Sequence, residues 1–171
     1  MKLFSFAGIL AIVLFTGCSL LGGGGPKTLT GSITGSTTNV VVGAFSNAYR
    51  FYDGLAGDED EVASESAGGS SFTPIAKATI TGTTYSIDLP EDVATMGYLI
   101  AWVDNNQNGV YDLGNGEAGY FPMKSINGMD YVVSIGSIFG NYSYSYYDGT
   151  SNYIISIDDT NDAAGFNFTV D

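Results

Sequence analysis

Two stretches of sequence decide the fold: residues 84–89, TYSIDL, and residues 97–104, GYLIAWVD. In the first, large apolar side chains alternate with serine and aspartate, which is the period of a strand with one face in a core. The second is almost entirely apolar between Leu99 and Val103, which indicates a strand in the centre of a sheet. Together they predict an all-β protein.

Short β-rich segments separated by Gly, Asn, Asp and Ser continue through the rest of the chain. No stretch after residue 27 keeps a helical apolar period for three turns, and the only helix we allow is a single turn over residues 92–96. We therefore expect an antiparallel, immunoglobulin-like β-sandwich of seven or more strands in one domain over residues 28–171. The strands are predicted near residues 28–34, 39–46, 75–81, 84–89, 97–104, 119–123, 131–138, 153–157 and 165–170.

Two connections are also predicted. Residues 81–83, TGT, indicate a tight hairpin between two of the strands. Residues 54–71 contain the run DEDE followed by Ser, Glu, Gly and Ala, which predicts a solvated acidic loop inserted between strands.

The first 17 residues have the parts of an export signal. Lys2 precedes an apolar stretch over residues 3–15, which is too short for a spanning helix. Residues 15–18, FTGC, resemble the bacterial lipobox, with Phe15 where leucine is usual. The resemblance implies cleavage before Cys18 and lipid on that residue, which is the only cysteine of the chain. An ordinary signal peptide with a chance cysteine, or an uncleaved anchor, would explain the same residues.

Residues 18–27 are rich in glycine and predict a flexible tether between the lipid and the domain. The anchor places the protein in the cell envelope, and we expect the outer membrane, with the domain in the periplasm or on the surface. The partners expected are the membrane itself, through the lipid, and another envelope protein or a polysaccharide.

Charge and composition exclude several function classes. The net charge of −13 at pH 7 repels nucleic acid and anionic lipid head groups and attracts cations. The chain has no histidine, and its one cysteine is assigned to the lipid. Ser-His-Asp and Cys-His catalysis are therefore excluded, and a zinc site is not expected. No spacing of the acids identifies a glycosidase pair, so the sequence predicts a protein that is not an enzyme.

The segment after the central strand, residues 104–112, reads DNNQNGVYD. Oxygen-bearing side chains stand at loop positions 1, 3, 5 and 9, glycine at position 6 permits a sharp turn, and position 7 offers its carbonyl, as in an EF-hand-type calcium loop. We expect a weak structural calcium site. Its predicted ligands are Asp104, Asn106, Asn108, Val110, Asp112 and Glu117.

Two questions stay open for this loop. Position 12, where a bidentate glutamate is usual, is Asn115, and Glu117 follows two residues later. Either a bulge brings Glu117 to the ion, or the last ligand is missing. The alternative to an ion site is a simple turn at Asn108-Gly109, in which Asx side chains cap backbone groups.

A resemblance to a known family covers much of the chain. Residues 85–90 and 97–104, followed by Asn106, Asn108, Gly109, Asp112, Gly114, Glu117 and Gly119, resemble the pattern of transthyretin-like (prealbumin-like) β-sandwich modules. These modules include carboxypeptidase regulatory-like and collagen-adhesin B-type domains. Residues 31–45 are similar to their first two strands, and residues 164–170 to their last. The resemblance spans residues 28–170, with gaps at 54–71 and 135–153. It implies a seven-stranded, non-catalytic sandwich with calcium in the acidic loop, and it names no partner.

Residues 142–147 read YSYSYY. On a strand, Tyr142, Tyr144 and Tyr146 share one face, and exposed rings there would stack on sugars or line a protein interface. Core-facing tyrosines, or a solvent-facing hairpin, explain the same pattern. The function expected is a non-enzymatic envelope lipoprotein that binds calcium and contacts another envelope protein or polymer. The alternative is a carbohydrate-binding module that uses the tyrosine face.

Overall fold

The computed structural model describes residues 28–36, 38–46, 48–49, 51–53, 62–64, 71–90, 96–138, 141–157 and 163–171. The predicted signal peptide, Cys18 and the tether lie outside these residues, as do nearly all of the predicted helical turn and most of the predicted acidic loop. Within them, no helix has the length and apolar character needed to cross a membrane.

Most of the described residues lie in strands. They contain no α-helix, and one 3-10 turn covers Leu113–Asn115. The prediction of an all-β fold is therefore confirmed. In chain order the strands are β1 (Thr28–Gly35), β2 (Val40–Ser46), β3 (Phe51–Asp53), β4 (Val62–Ser64), β5 (Ser71–Phe72), β6 (Ala76–Lys77), β7 (Thr79–Thr81), β8 (Thr84–Asp88), β9 (Met96–Val103), β10 (Tyr111–Asp112), β11 (Gly119–Tyr120), β12 (Met123–Ile126), β13 (Met129–Val132), β14 (Ser134–Ile138), β15 (Asn141–Tyr147), β16 (Asn152–Ser156) and β17 (Phe166–Val170).

Two sheets supply most of the main core. One has six strands in the order β13-β12-β17-β1-β8-β7, and the other has four in the order β11-β9-β2-β6. A third sheet, β14-β15-β16, packs its inner face on the same core, and β10-β5 and β3-β4 are short ladders. Every described pair is antiparallel, as predicted, except that β1 and β17 run parallel with Ile33 opposite Phe168. The first and last described strands are therefore neighbours in the larger sheet.

Alternation along β8 and β17 explains how the six-stranded sheet faces the core. In β8 the buried residues Tyr85 and Ile87 alternate with exposed threonine, serine and aspartate. In β17 Phe166 and Phe168 are buried in the same way. These side chains pack against the inward residues of β2 and β9 in one apolar cluster. The strand pattern predicted from residues 84–89 and 165–170 is confirmed.

The central strand β9 is buried on both faces. Leu99 and Ala101 enter the main core, whereas Ile100 and Trp102 face a second cluster on the other side of the same sheet. The two-sided burial explains the near-continuous apolar run in β9, and its predicted central place is confirmed because it lies between β11 and β2. The second core is mainly aromatic, and its buried members are Phe45, Phe51, Phe72, Ile100, Trp102, Tyr111 and Phe121.

Two predicted strands are each divided in the structure. Residues 75–81 form β6, in the four-stranded sheet, and β7, in the six-stranded sheet. At the crossing the Ala78 amide donates to the Val42 carbonyl at 2.9 Å. Residues 131–138 are likewise divided at Val133, between β13 and β14. The predicted acidic loop also contains a strand, because β4 pairs with β3. β-propensity marks these segments but does not show where the chain changes sheets.

Candidate functional site

The candidate calcium loop leaves the end of β9 and returns to β11. Asp104 follows β9 directly and is buried, with 4% of its surface exposed. Its carboxylate accepts two backbone hydrogen bonds, from the N–H of Asn108 at Oδ1 (3.1 Å) and from the N–H of Gly109 at Oδ2 (2.7 Å). Gly109 has a φ of +72°, which a side chain would disfavour, so glycine is required for the turn. Asp104, the first acid of the motif, therefore holds the turn at Asn108 and Gly109 in place through its two hydrogen bonds.

Asp112 occupies the far side of the loop, in the ladder between β10 and β5. Its Oδ2 accepts the side-chain amides of Asn106 at 3.0 Å and Asn108 at 2.8 Å. Hydrogen bonds from the Ser71 hydroxyl, and then from these two amides, hold the pKa of Asp112 below its ordinary value. This buried carboxylate therefore stays ionised at neutral pH.

Glu117 closes the loop from inside. Its Oε1 accepts a hydrogen bond from the backbone N–H of Asn105 at 3.0 Å, and its Oε2 accepts one from the backbone N–H of Asp112 at 2.8 Å. One side chain therefore links both ends of the loop. Gly116, with a φ of +70°, follows the 3-10 turn and directs the chain back. Glu117 is buried, whereas Asn115 is exposed. The chain after Asp112 thus turns Glu117 into the loop, as in the first of the two alternatives left open for this residue, and its role as an ion ligand stays a prediction.

The aromatic second core supports the loop from below. The Trp102 indole N–H donates to the Val110 carbonyl at 3.1 Å. The next residue, Tyr111, is fully buried in the second core and pairs with Phe72 of β5. The loop is thus held by a packed base, and the Val110 carbonyl keeps a second lone pair for another donor or an ion.

The six predicted ligands lie in one loop, but the carboxylates do not converge on one point. Among the described residues, no group of three acidic, histidine or cysteine side chains is close enough to hold a metal. The amide nitrogens of Asn106 and Asn108 face Asp112, and both oxygens of Glu117 face backbone N–H groups. The donor set of carboxylate, amide and carbonyl oxygens fits calcium, provided that the two amides rotate to present oxygen.

The tyrosines of β15 are divided between the core and the surface. Tyr142 and Tyr144 belong to the main core, with only 2% and 6% of their surfaces exposed. Tyr142 donates its hydroxyl to the Pro90 carbonyl at 2.6 Å, and the ring of Tyr144 packs edge-on against Phe166. Of the interpretations left open for this row, the core-facing one fits Tyr142 and Tyr144, because this side of β15 covers the main core.

Tyr146 stands at the end of that row and has different neighbours. Its ring stacks on Tyr153 across the hairpin, with centroids 5.0 Å apart and planes at 14°. The ring of Tyr131 in β13 also packs against the Tyr146 ring, with centroids 4.9 Å apart. No motif in the sequence singles out Tyr131 or Tyr153. The turn signal Asp148-Gly149 could have placed Tyr153 opposite Tyr146, but nothing local places β13 beside them.

No family model, curated protein or solved structure matches this chain.

Proposed function

We propose that the protein is a non-enzymatic, lipid-anchored envelope lipoprotein whose β-sandwich carries a structural calcium loop and contacts another envelope protein or polysaccharide. The observation that carries the calcium assignment is the burial of three carboxylates, those of Asp104, Asp112 and Glu117, in a single loop. The anchor assignment rests on residues 15–18 and on the glycine-rich segment after them.

Charge is the physical argument for an ion. Buried carboxylates are costly unless hydrogen bonds and opposite charge compensate them. In this loop backbone N–H groups, side-chain amides and the Ser71 hydroxyl supply the hydrogen bonds, and the only described lysine contact is that of Lys77 with the Gly109 carbonyl, at 3.4 Å. A divalent cation would supply the remaining compensation. Its ligands would come from Asp104, Asn106, Asn108, the Val110 carbonyl, Asp112 and Glu117.

The expected affinity follows from the number of charged ligands. Three carboxylates on an extracellular-type loop correspond to a Kd of about 10⁻⁴ M. At millimolar calcium such a site contributes about 1.4 kcal/mol to the free energy of unfolding by mass action. The role we assign to calcium is therefore structural: it stiffens the loop that lies on the aromatic second core.

A sugar platform made of Tyr142, Tyr144 and Tyr146 is not retained as a second function. Two of its three rings are buried, and a sugar cannot stack on a ring that already lies in the core.

The calcium assignment is tested by thermal unfolding of the full chain in detergent. We expect millimolar calcium to raise the Tm by roughly 3–6 °C, because each kcal/mol shifts a domain of this size by roughly 2–4 °C. Magnesium should raise it less, because it requires strict octahedral geometry and gives up water reluctantly. Asp104→Asn should remove the response, since it deletes a charge with almost no change of shape.

Asp130→Asn is the matched control, because Asp130 is exposed and lies outside the loop. That variant should respond to calcium like the wild type. Glu117→Gln then tests whether Glu117 binds the ion. If the calcium-dependent rise in Tm is lost, Glu117 is a ligand. If the rise is kept, Glu117 only holds the loop backbone through its hydrogen bonds. A wild-type Tm that does not depend on calcium would show that residues 104–117 are only a turn.

A further inference from the structure

A groove lies between β13 and the hairpin of β15 and β16, on a surface distinct from the calcium loop. Its volume is about 690 Å³, within the range of pockets that hold small ligands. Its walls include three tyrosines and four polar residues: Tyr131, Tyr146, Tyr147, Asp130, Ser134, Ser145 and Asn152. We name it the tyrosine groove.

The inner wall of the tyrosine groove is rigid. Tyr146 is held between Tyr153, which stacks on it, and Tyr131, which packs against it at an angle of 41°. Aromatic contacts of this kind fix ring positions at little cost in side-chain entropy. A ligand that enters would therefore meet a preformed surface, which reduces the entropic penalty of binding.

The outer wall is equally fixed, by the hairpin turn. Oδ1 of Asp148 accepts the Thr150 amide at 2.8 Å, the Thr150 hydroxyl at 2.7 Å and the Ser151 amide at 2.9 Å. Tyr147 donates its hydroxyl to the Gly149 carbonyl at 2.8 Å, so its orientation is set although 57% of its surface is exposed. Asn152 lies directly opposite Tyr147 and adds an amide at the mouth.

The chemistry of these walls selects the class of ligand. The exposed ring of Tyr147 offers an apolar face, and serine, asparagine and aspartate side chains offer donors and acceptors beside it. The only charged group in the described lining is the carboxylate of Asp130, on a chain whose net charge is −13. Anionic ligands are therefore repelled. A neutral sugar presents apolar C–H faces to rings and hydroxyls to polar side chains.

We propose that the tyrosine groove binds a short segment of a neutral polysaccharide. This inference rests on the proposed function, which names an envelope polysaccharide as one of two alternative partners. It adds that the polysaccharide binds in the tyrosine groove. A protein partner would instead use the convex apolar side chains nearby, such as Ile154, which is 58% exposed and does not belong to the described lining.

The test is retention of the full chain, in detergent, on an array of neutral and uronic-acid-containing oligosaccharides. We expect retention on neutral glycans only. Tyr147→Ala should lower it at least tenfold without changing the Tm, because this side chain is exposed. Asn152→Ala should also weaken it. The matched control is Ile154→Ala, which removes an equally exposed side chain of the same hairpin and should bind like the wild type.

Four outcomes would overturn the proposal: no retention on any neutral glycan, retention on uronic acids instead, equal retention by Tyr147→Ala and the wild type, or loss of retention in Ile154→Ala alone. The last outcome would place the glycan on the exposed face of β16, outside the groove. Asp104→Asn separates this result from the calcium assignment. That variant should keep glycan retention, so failure at either site leaves the other measurable.

Discussion

Gly31 shows how one residue permits a contact between three strands. It lies opposite Tyr85 in the β1–β8 pair. A Cβ at this position would overlap the Phe166 carbonyl oxygen and stand 2.7 Å from the Tyr85 ring. The missing side chain lets the Tyr85 hydroxyl pass β1 and donate to the Phe166 carbonyl of β17 at 2.7 Å. Burial raises the pKa of Tyr85, so its hydroxyl stays a neutral donor.

Gly31→Ala should therefore be unusually costly. We expect a loss of about 3 kcal/mol in the free energy of unfolding, because the added methyl group must displace backbone and a buried ring together. Urea denaturation measures the loss. Gly136→Ala is the control, since a Cβ there would lie 3.4 Å from the Gly97 carbonyl oxygen, an ordinary contact. Similar costs for the two variants would contradict the role assigned to Gly31.

Single residues also show what the sequence could reveal about the candidate site. Spacing alone identified the loop and its glycine turn, because these are local properties of consecutive residues, but it left open whether Glu117 reaches the loop. Alternation also showed that Tyr142 and Tyr144 share a face. It could not show which face, because the burial of that side depends on Phe166 and other residues far away in the sequence.

Among the elements, β9 connects the two cores. Its neighbouring residues Leu99 and Ile100 point to opposite sides of the sheet, one into each core. In a strand with one solvent face, only one of two such neighbours would matter for stability. Here both are fully enclosed.

Leu99→Ala and Ile100→Ala should each reduce the free energy of unfolding by about 2–5 kcal/mol, as cavity-forming substitutions do. Chemical denaturation of the two variants provides the measurement, with the exposed Ile154→Ala expected to stay within about 0.5 kcal/mol of the wild type. If Ile100→Ala were as mild as that control, the second core would contribute nothing to stability.

The elements were predicted well where a strand keeps one environment, as β8 and β17 do. They were predicted less well where the chain changes partner. Residues 75–81 read as one strand because local propensity is the same on both sides of Ala78, while the four-stranded and six-stranded sheets divide it. The parallel pairing of β1 with β17 was also not predicted, since no turn joins these strands and only tertiary packing brings them together.

For the whole molecule, the proposed anchor predicts where the protein is found. Cys18→Ala should move it from the membrane fraction to the soluble fraction, or leave the precursor uncut, because the acyl chains supply about 0.8 kcal/mol of membrane affinity per buried CH₂. Metabolic labelling with a palmitate analogue reports the lipid directly. Phe15→Leu is the control: it brings the lipobox closer to the usual pattern and should keep the label. A labelled Cys18→Ala protein would disprove the anchor at this residue.

The parallel pairing of β1 with β17 also determines when the six-stranded sheet can be completed during synthesis. Ile33 must find Phe168 across 135 residues, and loop closure over such a distance is slow. Until residues 166–170 have been synthesised, β1 has only β8 as a neighbour, and the main core stays open where Phe166, Phe168 and Val170 will pack. The nascent chain therefore cannot close the six-stranded sheet before residues 166–170 have been synthesised, and until then it stays open enough to be threaded through a pore.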